Sequence, residues 1–193
     1  GVVCPSGKLT DTIAHHISDY PSDSNFGDEN RNFYCEDIYV GYRYFETFAK
    51  ENVRYPFGFG LSYTTFDLKT TDAHCSNEKR EIALTVQVTN SGTVDGKEVV
   101  QIYAQAPQGK LGKPVRTLLD FKKTIALKPG QTQELSFTIP YSRLASYDDS
   151  GITGHKSCFL LEEGTYEIYM GTDVRCASKI SSFTLDTDVI ITE

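Results

Sequence analysis

The sequence predicts a mainly β protein whose largest part is an antiparallel β-sandwich. From Ser62 onward, hydrophobic residues recur at every second position, which is the period of a strand with one buried face. Turn-forming groups of Asn, Ser, Pro and Gly separate these alternating stretches. About seven or eight short stretches of this kind follow one another, which is typical of a two-sheet sandwich.

Each predicted strand rests on a local pattern. In residues 82–89, Ile, Leu and Val alternate with Ala, Thr and Gln until the turn at Asn90-Ser91-Gly92. The same reasoning predicts strands at 99–105, 118–127, 135–139, 160–161, 166–171 and 183–185. We expect the core of the sandwich to be formed by the inward positions Leu84, Val86, Val88, Val100, Ile102, Leu135, Phe137, Tyr166 and Ile168.

Residues 1–61 have a different character, and we place a domain boundary between them and residues 62–193. The stretch 19–31 is polar and rich in turn formers, which predicts an exposed loop. Residues 38–45 form an ordered element, and the pattern leaves a strand and a short helix open. Residues 55–63 form a connector, because their proline and glycines exclude a regular helix, and its apolar side chains should be buried: Phe57, Phe59 and Leu61. Residues 1–61 are too few to bury a core alone, so we expect them to pack against further protein.

The formal net charge of −7 limits the classes of partner. An acidic surface repels phosphate backbones, so we expect no nucleic-acid binding, whereas a neutral carbohydrate is compatible with it. No apolar run reaches the roughly 18–20 residues of a membrane span, so no membrane partner is expected.

The sequence contains no phosphate loop, no dinucleotide fingerprint and no metal-ligand spacing, so we predict neither a cofactor nor a metal. The chain starts at Gly1 without a leader, which suggests a fragment.

The five cysteines are scattered and contain no Cys-x-x-Cys pair. They are interpreted as small structural thiols of a reducing compartment, which predicts a cytoplasmic location, with secretion as the alternative. A disulfide between Cys158 and Cys176 is left open by the sequence.

Few residues suggest chemistry. The pair Glu36-Asp37 could supply an acid or a base, but neighbours in sequence usually point apart, which favours an exposed or capping role. The pair His15-His16 has no third ligand nearby, which favours a solvated surface pair over a metal site. The residues after Tyr147 resemble a calcium loop only faintly, because the alternating aspartates of such a loop are missing.

Four segments resemble the C-terminal part of glycoside hydrolase family 3, the β-glucosidase family. They are CPSGKLTDTIA (residues 4–14), YCEDIYVGYRYFE (34–46), YPFGFGLSYTTF (55–66) and VTNSGTVDGKEVVQIY (88–103). The resemblance implies an immunoglobulin/fibronectin type III-like β-sandwich preceded by a remnant of an α/β sandwich domain. One departure is Asp37, because many members of the family have Gly at this position.

The resemblance also implies the function of a parent enzyme. Family 3 enzymes hydrolyse terminal β-linked sugars with retention, using an Asp nucleophile and a Glu acid/base placed ~5–5.5 Å apart. Neither motif is present, so no catalytic residue is assigned and the isolated chain is predicted to be inactive. The segments 26–48, 109–118 and 147–158 look most like a subgroup with permuted domain order. The implied partners are the catalytic domains of the parent and, for that parent, a neutral β-glucoside or oligosaccharide; a homodimer is left open.

The loop 147–157 is the candidate contact site. Its carboxylates can accept hydrogen bonds from hydroxyl groups and its imidazole can donate one, so we hypothesise that it contacts substrate or another domain through Asp148, Asp149 and His155. A loop with this role should be poorly satisfied in the isolated chain. Two other functions stay open at this stage. One is an independent carbohydrate-binding module, which would show an exposed row of Tyr on a sheet face, and the other is a structural interaction module with an apolar patch near residues 38–61.

Overall fold

The computed structural model describes residues 1–192. Its strands are β1 (Ile13–Ala14), β2 (Val53–Tyr55), β3 (Phe66–Ser76), β4 (Glu81–Asn90), β5 (Val99–Gln105), β6 (Thr117–Lys123), β7 (Thr132–Pro140), β8 (Ser146–Asp148), β9 (Cys158–Leu161), β10 (Gly164–Gly171), β11 (Ser178–Leu185) and β12 (Val189–Thr192). The α-helix is α1 (Tyr42–Phe48), and short 3-10 helices cover Ile17–Asp19, Pro21–Asn25, Lys50–Asn52 and Tyr141–Leu144.

Two antiparallel sheets form the sandwich. One has the strand order β3-β4-β7 and the other β11-β10-β5-β6. Strand β4 alternates strictly between buried and half-buried positions, as the period of two predicts. All nine side chains predicted to face inward are at most 7% exposed, so this prediction is confirmed. The predicted antiparallel β-sandwich and the mainly β class are confirmed as well.

Two smaller sheets flank the sandwich. Strands β12, β9 and β8 form a three-stranded sheet, and β1 pairs with β2 in the N-terminal part. The predicted strand 118–127 ends earlier than expected, at Lys123. The chain between β8 and β9 forms the candidate loop, and the antiparallel pairing of these strands closes its base.

The element left open between strand and helix is helix α1, which begins later than expected. Gly41 precedes it with a φ of 59° and accepts a hydrogen bond from the Phe45 N–H at 3.1 Å. The helix buries Phe45 in a small cluster separate from the main core. The other buried members of this cluster are Ala14, Ala49 and Val53.

One expectation is wrong. Leu61 is 72% exposed, because the connector turns only its two phenylalanines toward the protein, leaving them half-buried. The disulfide that the sequence left open between Cys158 and Cys176 does not form, because Cys176 is an exposed free thiol whereas Cys158 is buried in β9. The boundary at residues 61 and 62 stays a prediction. None of the helices in residues 1–192 has the length and apolar character needed to cross a membrane.

Candidate functional site

The connector is fitted closely to the sandwich at Gly58. This residue has a φ of +84°, and a Cβ built on it would lie 2.6 Å from Gln101 Oε1 and 2.9 Å from the Cα of Asp173. Next to it, the N–H of Val174 donates a hydrogen bond to the carbonyl of Phe57 at 3.1 Å. The glycine of the connector is therefore required by both its backbone conformation and the close approach of the sandwich.

A buried polar chain lies beneath the connector. The Gln101 side chain donates to the carbonyl of Thr172 at 2.7 Å and accepts from the Tyr103 hydroxyl at 2.5 Å. Burial, together with the neighbouring Tyr42 and Asp173, raises the pKa of Tyr103 well above its usual range. Tyr103 therefore stays protonated and acts as a hydrogen-bond donor that holds Gln101 in place.

Helix α1 is tied to the sandwich by side-chain contacts at both of its ends. Near its start, the Tyr42 hydroxyl accepts a hydrogen bond from the Leu118 N–H at 2.8 Å. Near its end, Arg175 forms an ion pair with the buried Glu46 at 2.8 Å and donates to the carbonyl of Lys50 at 2.6 Å. The N-terminal part and the sandwich consequently hold each other in one orientation.

Many large hydrophobic side chains of the N-terminal part remain exposed. Although residues 1–63 are about a third of the chain, they contain most of the large hydrophobic side chains that residues 1–192 expose. The most exposed of them are Val2, Val3, Ile17, Phe26, Phe33, Tyr34, Phe48 and Leu61. Such a concentration of apolar surface marks a contact area.

The candidate loop is organised around Asp148, whose carboxylate is buried. It accepts hydrogen bonds from the backbone N–H groups of Ser150, Gly151, Ile152 and Thr153 and from the hydroxyls of Ser150 and Thr153. Burial acts to raise the pKa of Asp148, but the hydrogen bonds, led by those from Thr153, outweigh it and hold this pKa well below its usual range. The expectation of a poorly satisfied loop is therefore wrong at Asp148.

The two other predicted contact residues lie on the surface. Asp149 and His155 are exposed, and the role proposed for their side chains stays a prediction. Both carboxylate oxygens of Asp148 accept hydrogen bonds from within the loop, so the residues that follow Asp148 form a tight turn. Within residues 1–192 no three His, Cys, Asp or Glu side chains lie together as metal ligands would.

The remaining candidates from the sequence are surface features. His15 and His16 are exposed, and Glu36 is half-buried. Asp37 is exposed and has a φ of 50°, the left-handed region that favours glycine. Asp fits at this position because it is one of the side chains that tolerate this region.

Sequence reasoning missed the buried polar residues of two contact regions. Gln101 interrupts the apolar stretch of β5, and Glu162 directly follows the apolar end of β9. Glu162 forms a buried ion pair with Lys113 and accepts hydrogen bonds from the N–H groups of Lys110, at 2.6 Å, and Leu111, at 3.2 Å. A polar residue inside or next to an apolar strand was the available signal.

The tyrosines do not form an exposed row on the sheet of β5 and β10. Tyr103 and Tyr166 are buried. Tyr169 is half-buried, and the guanidinium of Arg116 lies 3.5 Å from the centre of its ring. This sheet face therefore does not offer the aromatic platform that an independent sugar-binding module would show there.

These features define an accessory β-sandwich module that carries a tightly docked N-terminal segment. Residues 98–174 match the family described as the fibronectin type III-like domain. The chain is 49% identical to a β-glucosidase of Ruminococcus albus over 191 residues, which are 99% of this chain and 20% of that protein. It is 48% identical to β-glucosidase A of Butyrivibrio fibrisolvens, covering 91% of this chain and 23% of that protein.

Solved structures of β-glucosidases show the same similarity. The β-glucosidase of Paenibacillus barengoltzii superimposes with a TM-score of 0.96 at 49% identity, covering the whole of this chain and 22% of that one. β-Glucosidase 3B of Thermotoga neapolitana gives 0.87 at 36% identity, covering the whole of this chain and 26% of that one. The chain therefore matches the C-terminal part of the glycoside hydrolase family 3 β-glucosidases, including their fibronectin type III-like domain, and it spans only about a fifth of the relatives' length.

Proposed function

We propose that the chain is the bracing region of a family 3 β-glucosidase, which holds the catalytic domains of its parent in position and contributes neither catalytic carboxylate. The proposal is carried by two properties of the N-terminal part. It is locked to the sandwich through Gly58, Tyr42 and Arg175, and it also leaves many large apolar side chains exposed. A segment with this geometry connects the sandwich rigidly to whatever covers that surface.

The parent is proposed to hydrolyse terminal β-linked sugars with retention, by the two-carboxylate mechanism of its relatives. We also propose a reducing, cytoplasmic location, supported by the free thiols of Cys4, Cys35, Cys75 and Cys176. A permuted domain order and a homodimer remain part of the proposal for the parent. Its other partners would be its own catalytic domains and a neutral β-glucoside.

The test is a transplant into the β-glucosidase of Paenibacillus barengoltzii, whose matching region superimposes on this chain. The chimaera that contains this chain should hydrolyse an aryl β-glucoside, and the enzyme with the region deleted should not. A Gly58→Ala chimaera should lose activity, or lose more thermal stability than a Gly130→Ala chimaera, because both substitutions strain a positive-φ backbone but only the first also disturbs the connector.

Two results would contradict the proposal. In the first, the deleted enzyme keeps the kcat/KM and the melting temperature of the intact one, so that the region braces nothing. In the second, the purified 193-residue chain hydrolyses the glucoside by itself and loses this activity on substitution of Glu36 or Asp37.

A further inference from the structure

A groove of about 580 Å³ lies between the N-terminal part and the small sheet of β8 and β9. Its most exposed apolar side chains are Tyr147 and Phe159, which are 49% and 47% exposed. They are direct partners in the β8–β9 register, and their ring centres lie 4.9 Å apart. The groove therefore presents a pair of half-exposed aromatic rings.

Charged groups of both signs line the same groove. They are Asp37, Arg43, Lys113, Arg143 and Asp149. Lys113 is paired with Glu162, and Arg143 donates one Nη1 hydrogen bond to the carbonyl of Leu119. The side chains of Asp37, Arg43 and Asp149 make no hydrogen bond or ion pair with residues 1–192. The groove thus combines aromatic faces with carboxylate acceptors and guanidinium donors that are available to a ligand.

The walls of the groove are held in place from behind. The Asp148 carboxylate organises the turn that carries Asp149. On the opposite side, Glu162 binds Lys113 and the backbone of the segment before it, which forms another part of the lining. These contacts fix the walls of the groove, so binding would not need to order its loops.

We propose that this groove binds a neutral pyranose ring, as a carbohydrate site in its own right. The C–H face of a pyranose is apolar and stacks on an aromatic ring, whereas its equatorial hydroxyls donate to carboxylates and accept from guanidinium groups. The mixture of charges disfavours an ionic ligand, and the open charged groups disfavour a wholly apolar one. This site lies entirely within the chain and does not rest on the bracing role.

The test is a titration of the isotope-labelled 193-residue chain with cellobiose, followed by amide chemical shifts. Sorbitol serves as a control ligand, because it has the hydroxyls but no ring face. Cellobiose should shift the amides around residues 37–43, 143–149 and 159, and sorbitol should not. Tyr147→Ala and Asp149→Ala should each weaken binding by roughly fivefold or more.

The Phe121→Ala variant is the matched control, because this exposed aromatic side chain lies on β6 outside the groove, and it should bind as the unaltered chain does. Asp149 is exposed and makes no hydrogen bond or ion pair with residues 1–192, so its variant should stay folded even if Tyr147→Ala disturbs the β8–β9 turn. The proposal is overturned by an absence of shifts at tens of millimolar cellobiose, by shifts elsewhere, by equal shifts with sorbitol, or by unchanged affinity of the Asp149→Ala variant.

Discussion

The substitution Gly58→Ala tests how the connector is held. The added methyl group meets two obstacles. The backbone has a φ of +84°, where a residue with a Cβ costs ~1–2 kcal/mol. The Cβ would also lie 2.6 Å from Gln101 Oε1, 2.7 Å from its Nε2 and 2.9 Å from the Asp173 Cα.

Gln101 cannot easily move away, because it is hydrogen-bonded to Thr172 and Tyr103. Overpacking of this kind typically costs ~1–3 kcal/mol. Together the two effects predict that Gly58→Ala lowers the free energy of unfolding by about 2–5 kcal/mol.

Gly130→Ala separates the two contributions. Gly130 has a φ of +77°, but nothing lies within 4 Å of the Cβ it would gain. Its substitution should therefore cost only the ~1–2 kcal/mol of the backbone conformation.

Urea unfolding followed by circular dichroism measures both variants, and hydrogen exchange at the Val174 amide reports whether the connector detaches. If Gly58→Ala costs no more than Gly130→Ala and the Val174 amide stays protected, the close contact with Gln101 does not determine the position of the connector.

Three further predictions concern other positions. Asp37→Val should lower the free energy of unfolding by ~1–2 kcal/mol, because a β-branched residue fits the φ of 50° poorly. Asp37→Gly should change it by less than about 0.5 kcal/mol. Equal effects of the two substitutions in urea unfolding would exclude backbone strain at this site. The lowered pKa of Asp148 adds stability that is present above the unfolded pKa of about 3.9 and is lost as the pH falls toward the folded value. Asp148→Asn should therefore flatten the acid side of a melting-temperature profile, and an acid side as steep as that of the unaltered chain would contradict this reasoning. Lys113→Met should lower the free energy of unfolding by ~3–5 kcal/mol, because it leaves the buried carboxylate of Glu162 unpaired. Adding Glu162→Gln to this variant should restore at least about 1 kcal/mol of that free energy. A double variant as unstable as the single one would show that the charge of Glu162 is not the cause.

The sandwich could be predicted from the sequence because its signal is local. The period of two in β4, β5 and β7 states which side of each strand is apolar, and the same apolar side chains then fill the space between the sheets. Phe137 and Ile168 are buried for this reason alone. Helix α1 was harder to predict from the sequence, because the short aromatic stretch suits a strand equally well. The start of the helix also depends on the positive φ of Gly41.

The role of Asp148 could not be read from the sequence. An aspartate in a polar loop suggests an outward contact, but six hydrogen bonds from the residues that follow turn its carboxylate inward. Only the conformation of the loop decides between these two outcomes. Leu61 shows the opposite error, because its hydrophobic side chain suggests burial and nothing in this chain covers it.

By itself, the sequence determined the β-sandwich, its core and the family, because alternation and motifs are contained in short stretches of chain. Only the tertiary structure decided where the contact regions lie, because their parts come from distant positions. Gly58 meets Gln101 and Asp173, and the groove joins residues near Asp37 to those near Phe159. These contacts depend on how the sheets and the N-terminal part pack together, and no local sequence pattern encodes them.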